Sequence, residues 1–194
     1  YARGKDLEPY MFGHEANKGY GNSLTAPVDI TSTEYAEHLL LSLCETVGTR
    51  LRNDNVKISV VSVHITTCEF THENRQMQLL SATDVTEEIF RAACQVFHKL
   101  WDKKTPIRQI GVHTSRVQAD AGRQYNLFDL QKFDRMEILD RTIDGIRKKY
   151  GEDAVFRASF LQGNVPHMGG GLDKERRSGV TIGIDVENEK TRII

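Results

Sequence analysis

Two stretches of the chain repeat apolar residues every three or four positions, which is the spacing of one face of an α-helix. In the first stretch these residues are Ala36, Leu39, Leu40, Leu43, Val47 and Leu51. Thr31 and Glu34 form a capping-box pattern ahead of them, so we predict a helix over residues 32–53. The second stretch contains Ile89, Phe90, Ala93, Phe97, Leu100 and Trp101. Asp84 and Glu87 are expected to cap this second helix, which should end before Pro106.

Other stretches alternate apolar and polar residues, which is typical of strands with one solvent-facing side. Residues 57–68 are rich in Val, Ile and Thr, and residues 107–117 alternate in the same way. Residues 18–25 are compatible with a strand, which we expect to end near Thr25 because Pro27 follows. Residues 71–80 alternate less cleanly and are predicted to be the hairpin partner of the preceding strand.

The resulting order β-α-β-β-α-β over residues 18–118 predicts an α+β fold. We expect a four-stranded antiparallel sheet with both helices on one face and the other face exposed. A third helix is predicted within residues 132–161 from apolar residues at helical spacing, which are Phe133, Met136, Leu139, Ile143, Ile146 and Tyr150. It should be closed by Gly151 and followed by a short strand. Residues 162–194, which include Gly169–Gly171, are expected to form a flexible tail with a possible strand near residues 180–186.

Composition adds little to this picture. The 194 residues include 26 Lys and Arg against 27 Asp and Glu, so any basic surface must come from the placement of charges. Cys44, Cys68 and Cys94 contain no CxxC pair, which favours reduced thiols in a cytoplasmic protein. No apolar run approaches the roughly 18 residues of a membrane span, so we expect no membrane partner.

No catalytic or metal-binding pattern stands out in the sequence. The seven histidines show neither HExxH nor paired ligand spacing, which favours surface or partner-facing roles. The Gly169–Gly171 run lacks the Lys-Ser or Lys-Thr of a phosphate-binding loop. A small-molecule enzyme on this type of sheet would need a convergent set of Cys, His and carboxylate residues, and none is evident.

Four motifs carry a family resemblance. They are KGYGNSLTAPVDIT at residues 18–31, PIRQIGVHTSRV at 106–117, QYNLF at 124–128 and IRKKYGEDAVFRAS at 146–159. In this order and spacing they resemble the C-terminal little-finger domain of Y-family translesion DNA polymerases of the DinB and UmuC type, which is ImpB/MucB/SamB-like. The first and last motifs are most similar to the Gram-positive and plasmid or phage branch. The resemblance covers about residues 1–161.

The resemblance implies a division of the chain and of its function. Residues 1–17 would be the end of the thumb and a linker, 18–118 the DNA-binding little finger, and 119–131 the segment with the clamp-binding peptide. The chain, which begins without Met, is then expected to be a fragment that follows an upstream polymerase core. That core would hold the palm carboxylates and their Mg²⁺, so we expect this fragment to be non-catalytic and to need no cofactor.

In the family the little finger contacts the backbones of duplex primer-template DNA, and the resemblance carries nine positions over to this role. They are Lys18, Asn22, Ser23, Arg75, Gln76, Arg108, Gln109, His113 and Ser115. Such contacts would position the protein on DNA without reading sequence. The alternative is that these polar residues only solvate the exposed face of the sheet.

The peptide at residues 124–128 resembles the motif that binds the bacterial β sliding clamp. Leu127 and Phe128 would enter an apolar pocket while Gln124 hydrogen-bonds at its rim. The alternative is a hydrophobic staple ahead of the third helix, with Asp129 helping to cap it.

An RNA-binding module is the alternative function, because ferredoxin-like sheets also stack single-stranded bases. That function needs paired aromatic residues in the central strands, and residues 61–66 contain none. The sequence therefore favours duplex DNA as the partner.

Overall fold

Four antiparallel strands form one sheet in the order β1-β4-β2-β3. The computed structural model describes residues 17–119, 130–162 and 165–170, and in it the strands are β1 (Gly19–Ile30), β2 (Lys57–Thr67), β3 (His72–Thr83) and β4 (Ile107–Gln118). Helix α1 (Thr33–Asn53) follows β1, and α2 (Thr86–Leu100) connects β3 to β4. The predicted α+β class, its β-α-β-β-α-β order and the helical extension, α3 (Leu130–Tyr150), are confirmed.

The core lies between the sheet and the two connecting helices, on what we call the helix side of the sheet. Directly opposed residues of neighbouring strands point to the same face, and Leu24, Ile110 and Ile65 form one such row. All three are buried, as are Val112 and Val63 in the next row. The alternation that predicted the strands therefore arises from packing on one face only.

Helix α3 docks on α1 and α2 through charged side chains. Arg52 of α1 is buried, with Nη1 3.2 Å from Asp140 Oδ2 and Nε 2.5 Å from Asp144 Oδ2. Glu45, also buried, lies 2.9 Å from Arg147 Nη1. Each buried charge has an opposite partner, which offsets the cost of removing it from water.

This docking turns the polar side of α3 inward. The third helix is confirmed, but several of the apolar residues that predicted it are exposed, among them Leu139, Ile146 and Tyr150. The apolar spacing thus located the helix and misplaced its buried face, because ion pairs rather than apolar contacts hold it.

None of the helices among the described residues is long and apolar enough to span a bilayer.

Both predicted helix caps need correction. The N-cap of α1 is Ser32, whose Oγ accepts a hydrogen bond from Tyr35 N at 3.1 Å, and not Thr31. At the start of α2 the backbone N–H of Thr86 donates to Asp140 Oδ2 of α3 at 2.8 Å. Asp84 is instead buried beneath α3, and its backbone carbonyl accepts from Arg52 at 2.8 Å. The local pattern was overridden because α3 supplies a carboxylate to the first backbone N–H of α2.

Residues 165–170 were expected to belong to a flexible tail, and the structure contradicts this. Gly169 N donates to Ser42 Oγ at 2.6 Å, and the carbonyl of Gly169 accepts from Thr46 Oγ1 at 2.9 Å. Val165 and Met168 are buried beside this contact. A Cβ on Gly169 would lie 2.8 Å from Ser42 Oγ, so this glycine allows a close approach to α1. The rest of the predicted tail, residues 171–194 with the possible strand, lies outside the described residues.

The short strand predicted after α3 is also wrong. Residues Glu152–Ala154 and Ala158–Gln162 form 3-10 turns instead. The carbonyl of Val155 between them accepts from Arg147 Nε at 3.0 Å, and Arg157 Nε donates to Glu45 at 2.6 Å. The segment is held by arginine side chains and does not pair with the sheet, whose edge strands are β1 and β3.

Replacing Asp140 should destabilise the whole domain. Asp140→Ala leaves the Arg52 guanidinium short of a buried partner and uncaps α2, so we expect the free energy of unfolding to fall by about 3 kcal/mol. Urea unfolding monitored by circular dichroism measures it. Asp134→Ala, on an exposed position of the same helix, is the matched control and should stay within about 0.5 kcal/mol of the parent. Equal stabilities for the two variants would contradict the Arg52 arrangement.

Candidate nucleic-acid interface

The side of the sheet away from the helices consists of four complete cross-strand rows. We call these sixteen residues the open face. From β1 through β4 and β2 to β3 they are Gly19, Ser115, Val60 and Gln78; Gly21, His113, Ser62 and Gln76; Ser23, Gly111, His64 and Asn74; and Thr25, Gln109, Thr66 and His72. Small and polar residues therefore occupy almost every position.

The open face contains no carboxylate, lysine or arginine at these sixteen positions. The acid nearest to it on β3, Glu73, lies opposite Ile65 and so points to the helix side. At the border, Arg116 Nη1 donates to Gln78 Oε1 at 2.9 Å. The face is thus hydrogen-bonding and free of fixed negative charge, although the protein as a whole has a formal charge of −1.

Three glycines allow two imidazole rings to lie flat across the strands. A Cβ on Gly111 would lie 2.1 Å from His64 Cε1, and one on Gly19 would lie 2.8 Å from His113 Cε1. A Cβ on Gly21 would come within 2.7 Å of His113 Cδ2. Real side chains do not approach this closely, so each ring occupies the space that a larger residue on the next strand would fill.

Two hydrogen bonds link hydroxyl groups of the open face to histidine residues on neighbouring strands. Ser62 Oγ donates to the carbonyl of His113 at 3.1 Å, and Thr66 Oγ1 lies 2.9 Å from His72 Nδ1. Burial lowers the pKa of His64, and the nearby His113 lowers that pKa further. Both effects favour the neutral form of the His64 imidazole.

Five of the nine sequence-predicted DNA contacts lie on the open face: Ser23, Gln76, Gln109, His113 and Ser115. Asn22 and Arg75 do not, because residues adjacent in a strand point to opposite faces. Both lie in the row of Val112 and Val63 on the helix side. Asn22 Nδ2 donates to the carbonyl of Gly169 at 2.5 Å, while Arg75 is exposed on the edge strand.

Lys18 and Arg108 lie at the ends of strands and not within the rows. Lys18 is exposed just before β1. Arg108 is the extra residue of a β-bulge, since Gln109 is opposite Thr66 while Ile107 is opposite Thr67. Its Nη1 is 3.5 Å from Asp29 Oδ1, and this carboxylate partly offsets the positive potential around the guanidinium. The predicted clamp-binding residues Gln124, Leu127 and Phe128 lie outside the described residues.

Sequence reasoning missed His64, His72 and Gly111. His64 alternates with Val63 and Ile65, which placed it on the polar side of its strand. Its neighbour His113 and its glycine support come from β4, so only the strand order reveals them. Within the described residues, no three His, Cys, Asp or Glu side chains lie close enough together to hold a metal ion. The arrangement is equipped to hydrogen-bond an extended polar surface.

Comparison with known proteins gives the family. Residues 17–127 match the model of the impB/mucB/samB family C-terminal domain. This chain belongs to that family. The match includes all four strands of the impB/mucB/samB C-terminal domain and both helices that pack on it.

Individual relatives of this impB/mucB/samB chain are DNA polymerases. DNA polymerase IV of Clostridium acetobutylicum is 35% identical over 162 residues, which are 84% of this chain and 41% of the relative. DNA polymerase IV of Acetivibrio thermocellus is 39% identical over 147 residues, covering 75% and 37% of the two chains. The chain therefore spans about two fifths of the length of these relatives.

One solved structure similar to this chain is a complex of the β-clamp processivity factor with the little finger domain of PolIV. The likeness has a TM-score of 0.43 at 17% identity and covers 56% of this chain and 97% of that one. A post-insertion binary complex of Dbh DNA polymerase matches with a TM-score of 0.47 at 14% identity, covering 53% of this chain and 29% of that one.

Filling the space above Gly111 should displace His64. In Gly111→Ala the new Cβ occupies the position of the imidazole, so we expect the ring to move into solvent and its pKa to rise toward the ordinary value. Overpacking should also lower stability by about 1–3 kcal/mol. An NMR titration of the histidine ring protons measures the pKa.

Gly145→Ala is the matched control, because its Cβ would meet nothing within 4 Å. This change within α3 should stabilise the protein by about 0.5–1 kcal/mol and leave the His64 titration unchanged. If His64 titrates identically in Gly111→Ala and the parent, the ring does not lie over Gly111.

Proposed function

We propose that this chain grips the backbone of duplex primer-template DNA with its open face, as the non-catalytic C-terminal part of a lesion-bypass DNA polymerase. The observation that carries the proposal is the composition of the open face in a member of this family. All sixteen positions are uncharged or histidine, and no helix of the described residues covers them. A polyanion such as DNA therefore meets no negatively charged side chain that would repel it there.

The geometry suits phosphate contacts that are independent of sequence. Gly19, Gly21 and Gly111 leave room for the His64 and His113 rings against the strands, and the Ser, Thr, Asn and Gln side chains of the face can donate hydrogen bonds over short distances. Such contacts fix the position of a protein on a duplex and carry no base preference. Because permanent cations lie only at the border, we expect the isolated chain to bind DNA weakly.

Nucleotidyl transfer would belong to the longer protein. The relatives are DNA polymerases of which this chain spans about two fifths. Their remaining three fifths would contain the carboxylates and Mg²⁺ that catalyse phosphoryl transfer. Since the relatives are bacterial, we place this activity, and the repair of damaged DNA that it serves, in the cytoplasm, where bacterial chromosomal DNA lies.

Single-stranded RNA is the weaker alternative. Base-stacking sheets need aromatic side chains on the exposed face. None of the sixteen residues of the open face is Phe, Tyr or Trp. Tyr20 of β1 is buried on the helix side, where its hydroxyl bonds to Asp54.

A sliding clamp is the second partner that we propose. The support is the QYNLF peptide, which follows directly after the last strand of the sheet. Its Leu127-Phe128 pair offers the apolar anchor of a small binding hot spot, with Gln124 as the polar contact. Docking there would keep the DNA-gripping face near the primer terminus.

Two adjacent substitutions on opposite faces test the DNA interface. Gln76→Glu on the open face and Arg75→Gln on the helix side each change the net charge by the same amount. We expect Gln76→Glu to weaken duplex binding about tenfold, because it places a carboxylate among phosphate contacts. Arg75→Gln should change affinity much less. Fluorescence anisotropy with a labelled duplex at low salt measures both.

The expected order of affinities depends only on which face binds DNA. A loss in Arg75→Gln as large as that in Gln76→Glu would contradict the open face as the interface. Binding of single-stranded RNA in preference to the duplex would favour the alternative function.

Calorimetric titration into a bacterial β sliding clamp tests the second partner. The intact chain should bind with micromolar affinity, near −8 kcal/mol, and a Leu127→Ala/Phe128→Ala variant should lose that binding. Thermal unfolding of the same variant is the control and should be unchanged. If the variant binds the clamp normally, the two residues are not a docking peptide. If the variant melts several degrees lower, the two residues are a staple of the fold.

A further inference from the structure

The open face has no permanent cation, yet the proposed ligand is a polyanion. Its only titratable residues are His64, His72 and His113. Its charge therefore runs from zero, when the imidazoles are neutral, to three positive charges when they are protonated. Histidine is the side chain that makes this change between about pH 5 and 8.

The three histidines lie on a diagonal across the sheet. His113 on β4 is in the row of Gly21, His64 on β2 in the next row, and His72 on β3 in the row after that. Diagonal neighbours on one face of a sheet are about 7–8 Å apart. The arrangement is a line of three potential cations on three adjacent strands.

We propose that His64, His72 and His113 hold DNA phosphates as imidazolium groups, so that duplex binding takes up protons and strengthens as the pH falls from 8 to 6. This rests on the proposed function and adds to it the groups that supply the charge and the condition that regulates it. The ligand chemistry is a run of phosphodiesters.

Few other charges face the three imidazoles. The positions of β1 on the open face are Gly19, Gly21, Ser23 and Thr25, all uncharged. Arg116 borders β3 through Gln78, and Lys18 precedes β1. No described helix packs against this side, and no carboxylate belongs to it. None of these residues is an acid that could neutralise an imidazolium. The only charges among them that repel an imidazolium are those of the other histidines and of the border cations.

Phosphate supplies the missing partner. In the free protein, burial and the neighbouring His113 both lower the pKa of His64, so its neutral form is favoured. A phosphate within about 4–6 Å favours the charged form and raises that pKa. The proton affinity of the face is therefore higher in the complex than in the free protein, and linkage requires that added protons favour the complex.

Isothermal titration of the whole chain with a random-sequence duplex tests this. Titrations at one pH in buffers of different ionisation enthalpy give the number of protons taken up, and we expect net uptake at pH 7. A His64→Gln/His72→Gln/His113→Gln variant should lose the uptake and the pH dependence of affinity. At pH 6 the slope of log K against log salt should fall by about 0.9 for each histidine lost.

The matched control is His98→Gln. His98 lies on α2, with Nε2 2.6 Å from Glu37 Oε1, away from the open face. It should keep the proton uptake and the salt slope of the parent. Urea unfolding of each variant checks the fold, and His72→Arg provides a second test because position 72 is exposed. A permanent cation there should raise affinity at pH 8 and reduce the difference between pH 8 and 6.

The outcomes separate the two hypotheses. Duplex binding that is equal at pH 6 and 8, or proton uptake that survives in the triple variant, overturns the role of the histidines and leaves the DNA-binding face in place. Absence of duplex binding at pH 6 and low salt overturns the proposed function, and the inference with it.

Discussion

The candidate nucleic-acid interface of this protein depends on the pleat of one antiparallel sheet. Opposed residues share a face, so the four strands sort their side chains into rows that point to either the helices or the solvent. The rows on the helix side bury Leu24, Ile110 and Ile65 beneath α1 and α2. Since that face supplies the apolar contacts that stabilise the domain, the other face can carry small polar residues and glycine without loss of core. A polar surface without carboxylate, lysine or arginine is the consequence.

The second organising interaction is the ion-pair cluster around Arg52. It fastens α3 to α1, and through Asp140 it also caps α2, so one residue contributes to a buried ion pair and to a helix terminus. A charged interface of this kind specifies one docking geometry, because each buried charge must meet its partner. It also explains why α3 leaves Leu139 and Tyr150 in solvent.

These two constraints separate stability from binding. The helix side and the α3 cluster hold the fold, while the open face remains free of structural charge. On that face, the positions of the His64 and His113 rings depend on the glycines over which they lie. Affinity on such a surface comes from many weak, sequence-independent contacts. This suits the proposed contact with duplex DNA of any sequence, and the proposed clamp-binding peptide would then supply the durable attachment.

The sequence by itself determined the class of the fold, the order of its elements and the family, because strand and helix periods and local motifs are encoded by neighbouring residues. It also placed Gln109, His113 and Ser115 on the polar face of the last strand. Only the tertiary structure decided which candidates share that face. Asn22 was lost to Gly169, which lies 147 residues away in the chain, and His64 gained its place from the spacing of β4 and β2. The same holds for the cap of α2 and the inward polar side of α3. These features arise from contacts between distant segments, and local periodicity contains no information about which distant charge or glycine will be opposite.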